Sequence, residues 1–519
     1  LNLDFKISEN TYADFIMYSL LTIFVIFFLK GLLLIKINFS QNKIIYRVKA
    51  KLSSILLKKY LSEKYSFHLK NNSTKLIHNT LSEVNRFTGE HLIPATTFIT
   101  EILISLGLLF ILLTVEPKGA FFTIILLILL LTLVTKFTKN IALDYGTKRQ
   151  TNERISLKNL SQALTGIREV KILNKENKFI ELFDTSNFAA SDSIRNYNNF
   201  IVIPRIVIEL IGVTSILFLI FFLMLSGREF EKIFTIISIF GIASFRFLPS
   251  FNRILIALQS LKYSIPSLNV VHEEISKTLN NIKKATDSKR IKFEKNLVFE
   301  DIFFKYDNTE NYILERVNLD IKKNSIIGIY GESGAGKSTF VDVAAGLLKP
   351  TQGTFSIDGE KIDNRFFLNS NFIGYVSQNT FLIDDSIKKN IAFGVNENDI
   401  NYKKIDEVLK ISKLNDFIEN LSDGLETIIG ERGVKISGGQ RQRICIARAL
   451  YFDAPILIFD EATNALDSKT ELEILETIFS VKEKTMIIIA HHFTEWRNCD
   501  KIYKLENKTL IEKNDFKYS

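Results

Sequence analysis

Cysteine is nearly absent from this chain: Cys445 and Cys499 are the two in 519 residues. They imply no disulfide framework, and their separation lacks metal-ligand spacing. Tryptophan (one) and methionine (three) are equally scarce beside abundant Lys, Asn, Ile and Phe. That bias reads as genomic base composition. No internal repeat is present, and neither a signal peptide nor an initiator Met precedes Leu1. What the chain has in quantity is uninterrupted apolar sequence.

Long apolar runs occupy residues 15–29, 93–115, 120–134, 206–225 and 233–245, the last continuing past Pro249. About 20 apolar residues cross a bilayer as a helix. These runs predict five spanning helices at about 12–37, 92–115, 120–150, 199–226 and 232–265, within an all-α membrane domain covering 1–275. Residues 38–90 and 136–199 read as long loops rich in Lys and Arg, whereas 116–119 and 226–232 are short with little net charge. The basic loops belong in the cytoplasm. Leu1 then lies outside, and an earlier span is expected to precede it. The formal charge of +9 needs no nucleic-acid partner, because basic loops beside anionic lipid account for it. A polar, charged run at 276–295 reads as a linker to a second domain at 296–519.

That second domain carries the chemistry. Residues 331–338 read GESGAGKS, the phosphate-cradling pattern G-x-x-x-x-G-K-[ST], after a short apolar strand expected at 325–330. Gly331, Gly334 and Gly336 let several backbone N–H groups turn toward phosphate oxygens, with Glu332, Ser333 and Ala335 completing the loop and Thr339 continuing the helix. Lys337 supplies a point charge between the β- and γ-phosphates, and Ser338 a hydroxyl for Mg²⁺. An apolar strand at 455–459 then delivers Asp460 and Glu461 at its C-terminal end, where open α/β sheets bind ligands. Asp460 is expected in the Mg²⁺ shell. Glu461 is expected to orient and deprotonate the attacking water.

With ISGGQRQR at 436–443, these strings in this order resemble the α/β nucleotide-binding domain of ABC transporters. The resemblance implies roles position by position. Tyr306 would stack on adenine, and Gln378 in GYVSQN would touch the metal as a further catalytic group. Ser437, Gly438, Gly439 and Gln440 would form the signature that meets ATP held by a second copy. Asp467 matches the loop that crosses between subunits, and His491, after an apolar strand at 486–490, matches the switch histidine. Departures are few: Ile436 replaces the usual leucine, Ser377 the common proline, and His492 the usual arginine. One half-site per chain implies a homodimer. The membrane half resembles the six-helix half of ABC exporters without its first helix, and 66–72 and 166–175 resemble the short cytoplasmic elements that press on the nucleotide domain.

The cargo must be argued from charged residues in the spans, which cost ~2.5–3.5 kcal/mol at mid-membrane. Lys30 and Arg246 fall roughly 20 Å from the outer end of their spans, and Arg205 and Arg253 roughly 30 Å. Two copies would place eight cations around one cavity. Bland alternatives stand beside this reading: Arg205 can pair with Glu209 one turn on, Arg253 and Lys30 can snorkel, and Glu101 is a possible internal partner. Arginine forks suit a pyrophosphate headgroup. The segments 163–183, 203–212 and 238–254 resemble those of bacterial ABC flippases for lipid-linked oligosaccharides. That resemblance implies an inner-membrane protein moving a polyprenyl-pyrophosphate glycan from the inner to the outer leaflet. Another exporter of the same architecture, for lipid A-like lipid, drug or peptide, is the alternative.

Overall fold

A computed structural model describes residues 9–115, 117–225, 230–281, 292–307, 309–363, 367, 371–462, 473, 476, 478–479, 481, 483–490 and 498–513. The chain divides into two compact units: Leu1–Glu63 with His68–Lys284, and Lys64–Phe67 with Ala285–Ser519.

The first unit is helical. Its long members are α1 (Glu9–Ser62), α5 (Ile93–Val115), α6 (Pro117–Thr165), α8 (Glu176–Leu225) and α9 (Phe230–Tyr263). The short helices α3 (Ser73–His78), α4 (Val84–Arg86) and α7 (Ile167–Ile172) lie between them and α10 (Ile265–Asn281) follows, while α2 (Tyr65–Lys70) is divided between the two units. Two π-helical turns, Asn79–Glu83 and Phe87–Leu92, interrupt the run into α5. Among the described residues, Asp14–Ser62 and Ser73–Ile111 are long and apolar enough to cross a membrane, and a third candidate is the pair Phe247–Tyr263 and Ile265–Ser276, bent by 53°.

Several helices run well past the expected ends. The α1 helix continues to Ser62, α6 to Thr165, and α8 starts at Glu176, so most of the residues read as loops at 38–90 and 136–199 are helical. The length rule for apolar runs detects only helix that faces lipid; polar helix that buries one residue per turn or so escapes it. Ile45, Leu56 and Tyr60 of α1, Ala142 of α6 and Ala190 and Tyr197 of α8 are such residues. The expected linker is corrected in the same way, since 276–281 belong to α10.

The bend between α9 and α10 is held by packing and charge. Tyr197 and Tyr263 stack at 3.8 Å. Arg149 of α6, fully buried, lies 4.5 Å over the Tyr263 ring and donates to Glu90 at 2.5 Å and to Ser267 of α10 at 3.2 Å. Arg86 joins Glu90 and Glu153, each at 2.6 Å. A buried guanidinium persists only with such partners. Gly146 allows the approach, because a Cβ there would lie 2.1 Å from the Tyr263 carbonyl oxygen.

The second unit holds two sheets. An antiparallel sheet has the order β2-β1-β4-β5, from β1 (Asn296–Phe304), β2 (Leu314–Lys322), β4 (Gln352–Ile357) and β5 (Glu360–Ile362). The larger sheet, β10-β9-β3-β8-β7-β6, is parallel except for its edge strand β10. Its members are β3 (Ile326–Tyr330), β6 (Ile373–Val376), β7 (Ile456–Asp460), β8 (Thr485–Ile489), β9 (Lys501–Glu506) and β10 (Thr509–Glu512). Strands β7 and β8 are buried along their whole length, which is why they read as unbroken apolar runs. Alternate residues serve opposite layers. Ile456 and Ile458 pack with Phe340, Val341 and Val343 of α11 (Lys337–Ala344), while Leu457 and Phe459 pack with Ile444 and Ile446 in Gly438–Tyr451, the helix opened by the SGGQ string.

Candidate functional site

The phosphate loop links β3 to α11. Gly334 and Gly336 have φ of +83° and +101°, a region glycine enters without cost. Gly331 has a different reason to lack a side chain: a Cβ would sit 2.6 Å from the Leu505 carbonyl oxygen. Glu332 and Ser333 lie exposed on the loop, and Ala335 donates its N–H to the Glu332 carbonyl at 3.2 Å. The turn brings back Lys337, whose buried ammonium donates to the carbonyls of Gly331 at 2.7 Å and Glu332 at 3.2 Å. Ser338 is exposed in the first turn of α11. Thr339 is buried there, 3.4 Å from the Tyr306 hydroxyl, and Phe304 holds that ring edge-on at 5.1 Å.

The end of β7 brings the carboxylates to the same place. Asp460 and Glu461 are both buried. Glu461 has φ of +48°, an unfavourable region for a side-chain-bearing residue, and its N–H donates to Ile489 at 2.9 Å. Its carboxylate accepts from the Gln378 amide at 2.5 Å and lies 3.9 Å from the Lys337 ammonium. Asp460 accepts from the Tyr375 hydroxyl at 3.1 Å. Burial pushes the Asp460 carboxyl up, the Tyr375 bond opposes that, and Glu461 adds to it. On α11, burial and then Asp460 push the Asp342 carboxyl up to about 6. Neither Tyr375 nor Asp342 stood out in the sequence; Tyr375 is the penultimate residue of β6, three positions before Gln378.

The Ser338 hydroxyl, the Gln378 amide and the Asp460 carboxylate are oxygen donors of the kind that magnesium takes. Among the described residues no group of three or more His, Cys, Asp and Glu could by itself cage a cation. The signature serine has a local duty. Ser437 caps the N-terminus of Gly438–Tyr451: its hydroxyl accepts from Gln440 N–H at 3.2 Å, and its own N–H donates to the Gln440 side chain at 2.8 Å. Gly438 and Gly439 form the first turn behind it. Asp467 and His491 lie outside the described residues.

The four candidate cargo cations are not alike. Lys30 is exposed on α1, its ammonium 5.2 Å over the Phe27 ring. Arg205 is exposed and pairs with Glu209 at 3.0 Å along α8. Arg253 pairs with Glu101 of α5 through two bonds, at 2.5 and 3.2 Å. Arg246 falls within α9, with its side chain outside the described residues. Arg205 and Arg253 thus each have a carboxylate partner, the arrangement that the sequence left open for Arg205 and Glu209.

A phosphate loop, two carboxylates after a buried parallel strand and a capped glycine-rich helix start define a P-loop nucleotide-binding domain of the ABC type. The family model for the ABC transporter domain matches residues 314–464, and that for the ABC transporter transmembrane region matches residues 2–247. The chain belongs to the ABC transporters, as a multi-pass membrane protein with a nucleotide-binding domain. It is 39% identical over 220 residues to an ATP-dependent lipid A-core flippase of Cupriavidus metallidurans, covering 42% of this chain and 37% of that protein. Against the flippase of the same name in Ralstonia nicotianae it is 37% identical over 219 residues, covering 42% and 37%. It is 36% identical over 263 residues to the putative multidrug export ATP-binding/permease protein YgaD of Bacillus subtilis, covering 50% and 45%. The chain thus spans less than half the length of these curated relatives. A solved bacterial Atm1-family ABC exporter with ATP bound shares the fold at a TM-score of 0.75, with 22% identity over 90% of this chain and 82% of that one.

Proposed function

We propose that two copies of this chain form an ATP-driven flippase of the bacterial inner membrane, with the nucleotide domains in the cytoplasm and an anionic glycolipid as cargo. The observation that carries the motor is the convergence of Lys337, Glu461, Gln378 and Asp460. In this reading Lys337 trades its carbonyl partners for β- and γ-phosphate oxygens. Tyr306 offers its ring to adenine, and Glu461, steered by Gln378, orients the attacking water and accepts its proton. A magnesium ion held by Ser338, Gln378 and Asp460 would offset charge on the phosphates. Ser437 and the first N–H groups of its helix meet the γ-phosphate bound by the other copy, with Asp467 and His491 completing that interface.

Within this reading the cargo is a polyprenyl-pyrophosphate-linked oligosaccharide, with Lys30, Arg205, Arg246 and Arg253 on the headgroup path. At Arg205 and Arg253 the carboxylates of Glu209 and Glu101 offset part of the attraction. A second reading, a lipid A-like glycolipid, is favoured by the names of the first two relatives. The test is ATP-dependent movement of a short polyprenyl-pyrophosphate glycan, and separately of a lipid A-core glycolipid, in proteoliposomes. Glu461→Gln should abolish transport and hydrolysis; Arg246→Ala should abolish transport while hydrolysis survives. Movement of the lipid A-core compound alone would replace the first cargo with the second, and hydrolysis with neither moved would remove both.

A further inference from the structure

The hydrogen bond from Tyr375 to Asp460 has no part in the reaction as proposed above, and its geometry gives it one. In the β6–β7 pairing Tyr375 lies opposite Ile458, two residues before Asp460. Alternate residues of a strand share a face, so Tyr375, Ile458 and Asp460 project to one side of the sheet. Ile458 packs in the cluster that holds Phe340, Val341 and Val343, so this is the side covered by α11, the helix that starts in the phosphate loop. From there the Tyr375 hydroxyl reaches Asp460 Oδ2 at 3.1 Å.

We propose that Tyr375 is a positioning residue for the metal-binding carboxylate: its hydroxyl occupies Oδ2 of Asp460 and leaves Oδ1 to the magnesium of bound ATP. The proposal rests on the ATP site described under the proposed function. Its physical basis is twofold. The terminal torsion of an aspartate is soft, so a buried carboxylate with no donor on one oxygen is free to swing. A second carboxylate, Asp342 of α11, lies within electrostatic reach of Asp460 at the end of β7, and mutual repulsion of the two would turn Asp460 away unless a donor held it. Tyr375 is that donor. Outer-sphere donors to a metal-binding carboxylate fix its orientation in this way.

The experiment uses the full chain carrying Glu461→Gln, so that ATP is bound without turnover, and compares it with the same chain also carrying Tyr375→Phe. ATP affinity is measured by calorimetric titration across a range of Mg²⁺ concentrations and in EDTA. The phenylalanine keeps the ring and removes the hydroxyl. The expected result is that the Mg²⁺ concentration giving half of the metal-dependent gain in affinity rises about tenfold, while affinity in EDTA is unchanged. Tyr375→Leu, which removes the ring as well, should weaken the EDTA value in addition. An unchanged Mg²⁺ dependence in Tyr375→Phe overturns the proposal, and so does an equal loss with and without metal, which would make the tyrosine a packing residue. Failure of the Glu461→Gln parent to bind ATP at all would overturn the nucleotide-site reading itself, and this proposal with it.

Discussion

Asp342 should make the nucleotide domain less stable as pH rises through weakly acid values, and its removal should be stabilising. The residue sits in α11 between buried Val341 and Val343, and burial followed by the charge of Asp460 pushes its carboxyl from an ordinary 3.8 up to about 6. The folded state therefore holds a proton there more tightly than the unfolded chain does. Below about pH 4 both states are protonated and the site costs nothing. Between about pH 4 and 6 the unfolded chain ionises first, so stability falls with rising pH, and above about 6 the full loss is present. At ~1.4 kcal/mol per tenfold the loss is about 3 kcal/mol. Asp342→Asn keeps the shape and removes the charge. For a domain of this size the variant should melt roughly 6–12 °C above the parent at pH 8. Its advantage should shrink to about a third at pH 4.5. Scanning fluorimetry of both proteins in EDTA, without nucleotide, reads the difference while keeping Asp460 free of metal. A melting difference that is the same at both pH values would refute the reasoning, since a pH-independent gain could not come from ionisation of this carboxyl.

Two further predictions concern the helical unit. Gly146→Ala would drive a methyl into the Tyr263 carbonyl, 2.1 Å from the ideal Cβ position, so α6 and α9 must separate; about 1–3 kcal/mol of stability should go, seen as a lower melting temperature in detergent, and an unchanged value would mean that this contact is loose. Arg149→Met should cost about 3–5 kcal/mol by leaving buried polar partners unmet. Adding Glu90→Gln should recover part of that loss, because Glu90 is the Arg149 partner at 2.5 Å; if the two substitutions simply add, the ion pair is not what holds the bend.

Local strings carried most of the candidate nucleotide site. The strand expected at 325–330 is β3 at Ile326–Tyr330, and that at 455–459 is β7 at Ile456–Asp460. Both were legible because a strand buried on two faces must be apolar at every position and must end where polar residues begin. The glycines of the phosphate loop were legible for a backbone reason: positive φ at Gly334 and Gly336 excludes most other residues. Helix extent in the first unit was not, since α1 and α8 continue as polar helix that buries only scattered residues such as Leu56 and Tyr197. No run of apolar letters marks such a helix.

Partnerships across long separations are where the chain order is silent. Glu101 and Arg253 lie 152 positions apart and Tyr375 and Asp460 lie 85 apart, and no spacing rule joins either pair. The amino-acid order dictated the class of machine: apolar length sets what enters a membrane, and the phosphate loop needs a short contiguous string because its chemistry is done by consecutive backbone groups. Tertiary packing decided which charges remain available to a ligand. A cation's field depends on the nearest carboxylate in space, and for Arg253 that carboxylate arrives on a different helix.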